Sequence, residues 1–69
     1  MTKERLGGFI AERRKSLGMT QKELAASVNV TDKAVSKWER GETLPDTAIL
    51  LDLANALEIS VDFILTGGS

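Results

Sequence analysis

Hydrophobic and polar positions along this 69-residue chain repeat with the period of an α-helix from near its start. One face of the first segment carries the apolar residues Leu6, Phe9, Ile10 and Leu17. This spacing predicts an amphipathic helix over about Lys3–Leu17 that is stopped by Gly18. Gly7 and Gly8 would weaken that helix, by about 1 kcal/mol each relative to alanine, but would allow a neighbouring helix to come close.

The stretch 20–40 predicts two short helices joined by a tight turn. Thr20 and Glu23 have the spacing of a capping box, in which each side chain accepts from the other residue's backbone N–H. Asn29 tolerates the left-handed conformation and is predicted to end the second helix. Thr31 is predicted to cap the third. The inward-facing residues of the two helices are Leu24, Ala25, Val28, Val35 and Trp38.

Beyond this pair, Gly41 is predicted to end the third helix, and Asp46 to cap a fourth. The apolar positions of the fourth helix are Ile49, Leu50, Leu53 and Leu57. Ser60 is predicted to cap a short fifth helix, Val61–Leu65. Since no segment alternates like a strand, the sequence predicts an all-α domain over residues 1–66. Residues 67–69 are predicted to be a flexible tail or the start of a linker.

Composition narrows how this fold is stabilised and where it acts. The chain has no cysteine and no histidine, which excludes disulfides and the usual zinc sites as supports. Helix packing must then supply the stability, with help from dimerisation. The N-terminus does not resemble a secretory signal, and the most apolar segment, residues 48–57, is too short to span a bilayer. We therefore predict a soluble, cytoplasmic protein.

The charges are distributed unevenly although the net charge is only −1. Residues 1–40 contain all nine basic residues and five acidic ones, a balance of +4. Residues 41–69 contain five acidic residues and no basic one, a balance of −5. This asymmetry favours a nucleic-acid partner for the positive part. The alternative is that the basic residues only solvate helix faces.

The stretch 20–40, with the glycine, the proline and the amphipathic helix that follow, resembles the phage-repressor/Cro-type (Xre-type) helix-turn-helix family. The matching residues, spread over about Leu6–Leu65, include Gln21, Glu23-Leu24-Ala25, Val30-Thr31, Val35 to Gly41, Leu53-Ala54 and Leu57. Asn29 stands where the family usually has glycine in the turn. The resemblance implies a compact, five-helix, lambda-repressor-like DNA-binding domain whose helix-turn-helix is formed by helices 2 and 3.

In this family the third helix, here about residues 32–40, enters the major groove and its N-terminal residues reach base edges. The positions that match are Thr31, Asp32, Lys33, Ser36 and Lys37. Lysine can donate to guanine, and Asp32 could accept from cytosine. The alternatives remain that Asp32 serves only the helix dipole and that the two lysines contact phosphates or solvent.

Phosphate contacts are expected from residues that flank the third helix. Gln21 matches the family glutamine that holds the DNA backbone through its amide, unless it is an exposed residue without a role. Lys22, Arg40 and Thr43 are further candidates. By the same resemblance, Arg14 and Glu39 are expected to form a structural ion pair between the first and third helices. Trp38 is expected in the core rather than stacked on bases.

The function that the resemblance implies is sequence-specific regulation of transcription, as a repressor. The partners would be a palindromic double-stranded DNA operator and a second copy of the chain, with no cofactor, metal or membrane. Candidate dimer contacts are Phe63, Ile64 and Leu65, which would otherwise close the core. The alternative is a protein-interaction module such as an antitoxin or a coactivator bridge. An enzyme is not expected, because histidine, cysteine, tyrosine and a phosphate-binding glycine motif are all missing.

Overall fold

The computed structural model describes residues 2–60, which form four α-helices and contain no strand. Helix α1 spans Lys3–Ser16, α2 Gln21–Ser27, α3 Asp32–Glu39 and α4 Thr47–Ala56. The all-α prediction is confirmed for this part of the chain. The predicted fifth helix and the tail lie outside the described residues. Between residues 2 and 60, no helix has the length and apolar character needed to cross a membrane.

Each helix begins after a side chain that accepts a hydrogen bond from the first turn. The predicted caps Thr20, Thr31 and Asp46 are confirmed, and Thr2 caps α1 in the same way. Both halves of the capping box are present. The Glu23 backbone N–H donates to Thr20 Oγ1 over 3.0 Å, and the Thr20 N–H donates to Glu23 Oε1 over 2.8 Å. Local chemistry therefore sets where these helices begin.

The turn between α2 and α3 is closed by a residue in the left-handed conformation. Asn29 has φ +58°, as predicted. The Val30 N–H donates to the Ala25 carbonyl and the Asn29 N–H to the Ala26 carbonyl, which is the hydrogen-bond pattern of a Schellman motif. Asparagine therefore does here what glycine does in most such motifs, and α3 leaves the turn at a fixed angle to α2.

The core lies between the four helices and is almost entirely apolar. Its buried hydrophobic residues are Leu6, Ile10, Leu24, Ala25, Val28, Val35, Trp38, Leu53, Ala54 and Leu57. Trp38 is only 4% exposed, so its side chain belongs to the core, as predicted. Arg13 ties α1 to the end of α4, because its Nε donates to the Leu57 carbonyl over 2.8 Å. These contacts hold the back of α3 and leave its other face outside.

Helix α1 approaches α3 so closely that one position has room only for hydrogen. A Cβ built on Gly7 would lie 2.1 Å from the carbonyl oxygen of Trp38 and 3.0 Å from that of Glu39. A Cβ built on Gly8 would meet no atom within 4 Å. The close approach expected at this glycine pair is therefore made by Gly7 alone.

Candidate nucleic-acid interface

Helix α3 has two faces of different chemistry. Val35 is fully buried and Trp38 nearly so, whereas Lys33 and Lys37 are exposed. The two lysines are four residues apart and so lie on the same side of the helix, one turn from each other. Ser36, half-buried, lies beside them. A helix with a buried apolar back and an exposed basic front is suited to insertion into an anionic groove.

At the start of α3, the two remaining candidate base-contacting residues already have a structural use. Thr31 is exposed, and its hydroxyl accepts from the Ala34 backbone N–H over 3.2 Å. Asp32 is exposed in the first turn, where a negative charge is favoured by the helix dipole. Both lie at the end of the helix that would enter a groove first. The structure does not separate these roles from contacts with bases.

The four candidate phosphate-contacting residues lie at the two ends of the helix-turn-helix unit. Gln21, the first residue of α2, is half-buried, and Lys22 beside it is exposed. Arg40 is the C-cap of α3, and Thr43 lies in the loop that follows; both are exposed. Gln21 is therefore not the freely exposed residue of the alternative interpretation, because its amide is held by the protein.

That amide belongs to a network centred on Glu39. Arg14 donates twice to this carboxylate, from Nε to Oε2 over 2.7 Å and from Nη2 to Oε1 over 3.0 Å. Gln21 Nε2 donates to Oε1 over 3.0 Å, and Arg14 Nη1 donates to the Met19 carbonyl over 2.8 Å. The Arg14 and Glu39 side chains are 10% and 7% exposed. One buried carboxylate thus connects α1, α2 and α3.

The protonation of Glu39 follows from this arrangement. Burial by itself would raise the pKa of its carboxyl, but hydrogen bonds from Arg14 and Gln21, together with the charges of Arg14 and Lys15, hold that pKa below its ordinary value. Glu39 is therefore ionised at neutral pH. Its ionised form accepts all three hydrogen bonds, so its titration is linked to the packing of three helices.

Acid should weaken the fold through this residue. Because the pKa of Glu39 is lower in the folded than in the unfolded chain, its contribution is fully present above the unfolded value, about 4.3, and is lost as the pH falls below it. We expect the difference in free energy of unfolding between the wild type and Glu39→Gln to shrink from pH 6 to pH 3. Urea unfolding at several pH values measures it. A difference independent of pH would contradict the lowered pKa.

A second network joins α3 to the loop that follows it. Arg40 Nε donates to Glu42 Oε2 over 2.5 Å, and Arg40 Nη1 donates to Ser36 Oγ. A candidate phosphate contact and a candidate base contact are thus bonded to each other, with a carboxylate added. Sequence analysis missed Glu42. The only signal was Gly41, whose predicted role as a helix stop places the next residue back over the last turn of α3.

Comparison with known proteins identifies this geometry. A family model described as Helix-turn-helix (HTH_3) matches residues 10–64. Repressor protein C2 of Salmonella phage P22 is 42% identical over 67 residues, which are 97% of this chain and 31% of the phage protein. The HTH-type transcriptional regulator ImmR of Bacillus subtilis is 40% identical over 60 residues, 87% of this chain and 47% of that protein. The chain therefore spans less than half the length of these relatives.

A solved structure agrees with the sequence match. The crystal structure of the P22 c2 repressor in complex with synthetic operator 9T, in the presence of Tl⁺, has a TM-score of 0.85 to this chain at 44% identity. The match covers 90% of this chain and 94% of that one. Together with the capped α2 and α3, the Asn29 turn and the match of the family model, this shows that the chain belongs to the helix-turn-helix family of phage repressors and related transcriptional regulators.

Proposed function

We propose that this protein is a sequence-specific, double-stranded DNA-binding transcriptional regulator that acts as a repressor, with α3 in the major groove. The observation that carries the proposal is α3 itself, whose Val35 and Trp38 are buried while Lys33 and Lys37 are exposed on one side. The family relation and the P22 repressor solved with its operator support it. This function requires access to DNA, so the cytoplasmic location is part of the same proposal.

In this proposal the exposed face of α3 selects the sequence. Lys33 and Lys37 donate to guanine O6 and N7, and Asp32 accepts from a cytosine amino group. Thr31 and Ser36 contact base edges at the same end of the groove. Their hydroxyls both donate and accept, so they discriminate less between bases than the charged residues do.

Gln21 holds the DNA backbone in this proposal, assisted by Lys22, Arg40 and Thr43. The support is the bond from Gln21 Nε2 to Glu39, which fixes the amide plane at the first residue of α2. A primary amide has two N–H donors, so one bond to Glu39 leaves a second donor for a phosphate oxygen. Glu39 would then be a positioning residue, and the Arg14–Glu39 pair would act on DNA only through Gln21 and the packing of the helices.

We further propose that the protein binds a palindromic operator as a homodimer, which places two α3 helices about one turn of DNA apart. The candidate contacts Phe63, Ile64 and Leu65 lie outside the described residues. The competing proposal is a protein-interaction module. The curated relatives reported above are both named as regulators or repressors, which favours the first function and gives no support to an enzyme.

A binding selection from random duplexes tests this function. We expect the wild type to select a motif with two inverted halves, Lys33→Ala to change the preferred bases, and Gln21→Ala to weaken all duplexes about equally. The reason is that base contacts specify sequence whereas phosphate contacts only position the protein.

Binding to the selected duplex should also fall steeply as salt rises, because phosphate contacts release counterions. If Lys33→Ala left the motif unchanged, the assignment of Lys33 to a base would be wrong. DNA affinity that is absent, or insensitive to salt, together with tight capture of a protein partner would favour the interaction module.

A further inference from the structure

The ion pair between Arg40 and Glu42 lies at the end of α3 that continues the face of Lys33 and Lys37. Arg40 is four residues after Ser36 and seven after Lys33, which places all three on one side of the helix. The Arg40 and Glu42 side chains are 55% and 50% exposed. The pair is therefore accessible to a ligand that approaches this face.

The backbone fixes the position of the Glu42 carboxylate. Gly41, at φ +74°, reverses the chain, and the Gly41 N–H donates to the Trp38 carbonyl over 3.0 Å. The Glu42 N–H donates to the Lys37 carbonyl over 2.9 Å. These two bonds form a Schellman motif, which brings Glu42 back over the last turn of α3 and next to Arg40.

An exposed ion pair of this kind contributes little to stability. Its main consequence is for charge. The hydrogen bond from Arg40, with the nearby charges of Arg40 and Lys37, holds the pKa of the Glu42 carboxyl below its ordinary value despite some desolvation. Glu42 is thus an anion at neutral pH, and it occupies guanidinium donors that a phosphate oxygen would need.

We propose that Glu42 is an internal competitor of DNA for Arg40: its carboxylate binds the guanidinium in the free protein and must be displaced before Arg40 can bind a phosphate. The inference rests on the proposed DNA-binding function and deepens it, because it makes Glu42 a determinant of affinity that makes no favourable contact with DNA. Displacement also releases the Ser36 hydroxyl from Arg40, so the two candidate contacts become available together.

The expected sign follows from the exchange of partners. The wild type loses one carboxylate–guanidinium contact when it gains one phosphate–guanidinium contact, whereas Glu42→Gln gains the phosphate contact against a weaker neutral bond. Removing Glu42 should therefore raise affinity for duplexes of any sequence. It should also steepen the dependence of the binding constant on salt, by up to the slope of about 0.9 that one phosphate contributes.

The alternative explanation is that Glu42 repels DNA phosphates directly, independently of Arg40. A double-mutant cycle separates the two, since the competitor acts only while Arg40 is present. Asp52 offers a matched control, because it is an exposed acidic residue on α4, outside the helix-turn-helix unit. Asp52→Asn changes the net charge by the same amount as Glu42→Gln.

The experiment measures the dissociation constant of the full chain for its selected duplex and for a random-sequence duplex, from about 50 to about 200 mM salt. We expect Glu42→Gln to bind both duplexes about two- to fivefold more tightly than the wild type at low salt, and Asp52→Asn to bind like the wild type. In the Arg40→Gln background, Glu42→Gln should change the affinity by much less.

Each other outcome overturns a specific statement. If the wild type binds its duplex and Glu42→Gln binds equally well with the same salt slope, the competitor is wrong and the DNA-binding function stands. If Glu42→Gln gives the same gain with Arg40→Gln as with Arg40, direct repulsion is correct and the competitor is wrong. If the wild type binds no duplex, the proposed function fails, and this inference fails with it.

Discussion

Gly7→Ala is expected to destabilise this domain severely. The new methyl carbon would lie 2.1 Å from the Trp38 carbonyl oxygen, so α1 and α3 must move apart. Both nearby atoms that resist it, the carbonyl oxygens of Trp38 and Glu39, belong to the backbone of α3 and cannot rotate away as a side chain would. Overpacking of this kind costs about 1–3 kcal/mol, and more where the backbone cannot relax.

For a chain of this size, such a loss is a large part of the total, since native proteins have only about 0.05–0.15 kcal/mol of stability per residue. Movement of α1 would also disturb the Arg14–Glu39 contact on the same pair of helices. Thermal and urea unfolding followed by circular dichroism measure the effect, which we expect as a much lower midpoint or as a chain unfolded in buffer.

Gly8→Ala is the matched control for this substitution. The new Cβ meets no atom within 4 Å, and the position lies inside α1. Alanine is favoured over glycine in a helix interior, so we expect Gly8→Ala to raise the free energy of unfolding by about 0.5–1 kcal/mol. If the two alanine variants behaved alike, the close approach at Gly7 would not exist.

Arg14→Ala has the second large expected effect, a loss of about 3–5 kcal/mol. The substitution removes both hydrogen bonds from the guanidinium to Glu39 and the bond to the Met19 carbonyl. The Glu39 carboxylate, 7% exposed, would then keep its charge with only Gln21 as a partner. The cost arises mainly from this stranded buried charge, because two paired charges largely offset their own desolvation. Thermal unfolding measures the loss, and an unchanged melting temperature would count against a stabilising role for the pair.

Two further variants identify the origin of that loss. Arg14→Met combined with Glu39→Leu removes both charges, so it should recover much of the stability lost in Arg14→Ala. Glu42→Gln removes one partner of an exposed ion pair and should leave the melting temperature unchanged. DNA affinity of Arg14→Ala should fall only as far as the folded fraction and the orientation of Gln21 change. A double variant as unstable as Arg14→Ala would show that packing, rather than the stranded charge, sets the cost.

The roles of polar residues divide according to sequence separation. Thr20, Thr31 and Asp46 were recognisable as caps because each bonds an N–H three residues further on. Gln21 and Glu39 are 18 residues apart, and Arg14 and Glu39 are 25 apart. The resemblance to a known family led to the second pair, but no local pattern led to the first. Only the packing of three helices brings Gln21 to the carboxylate.

By itself, the sequence determined the segments of this protein. Helical periodicity and the capping residues place α1 to α4, and Asn29 and Gly41 place the stops, because each of these depends on hydrogen bonds and side-chain spacing within a few residues. The tertiary structure alone decided that Gly7 rather than Gly8 faces α3, that Gln21 is held by Glu39, and that Glu42 pairs with Arg40. Those contacts depend on how backbones approach and turn in space, which the one-dimensional pattern does not encode.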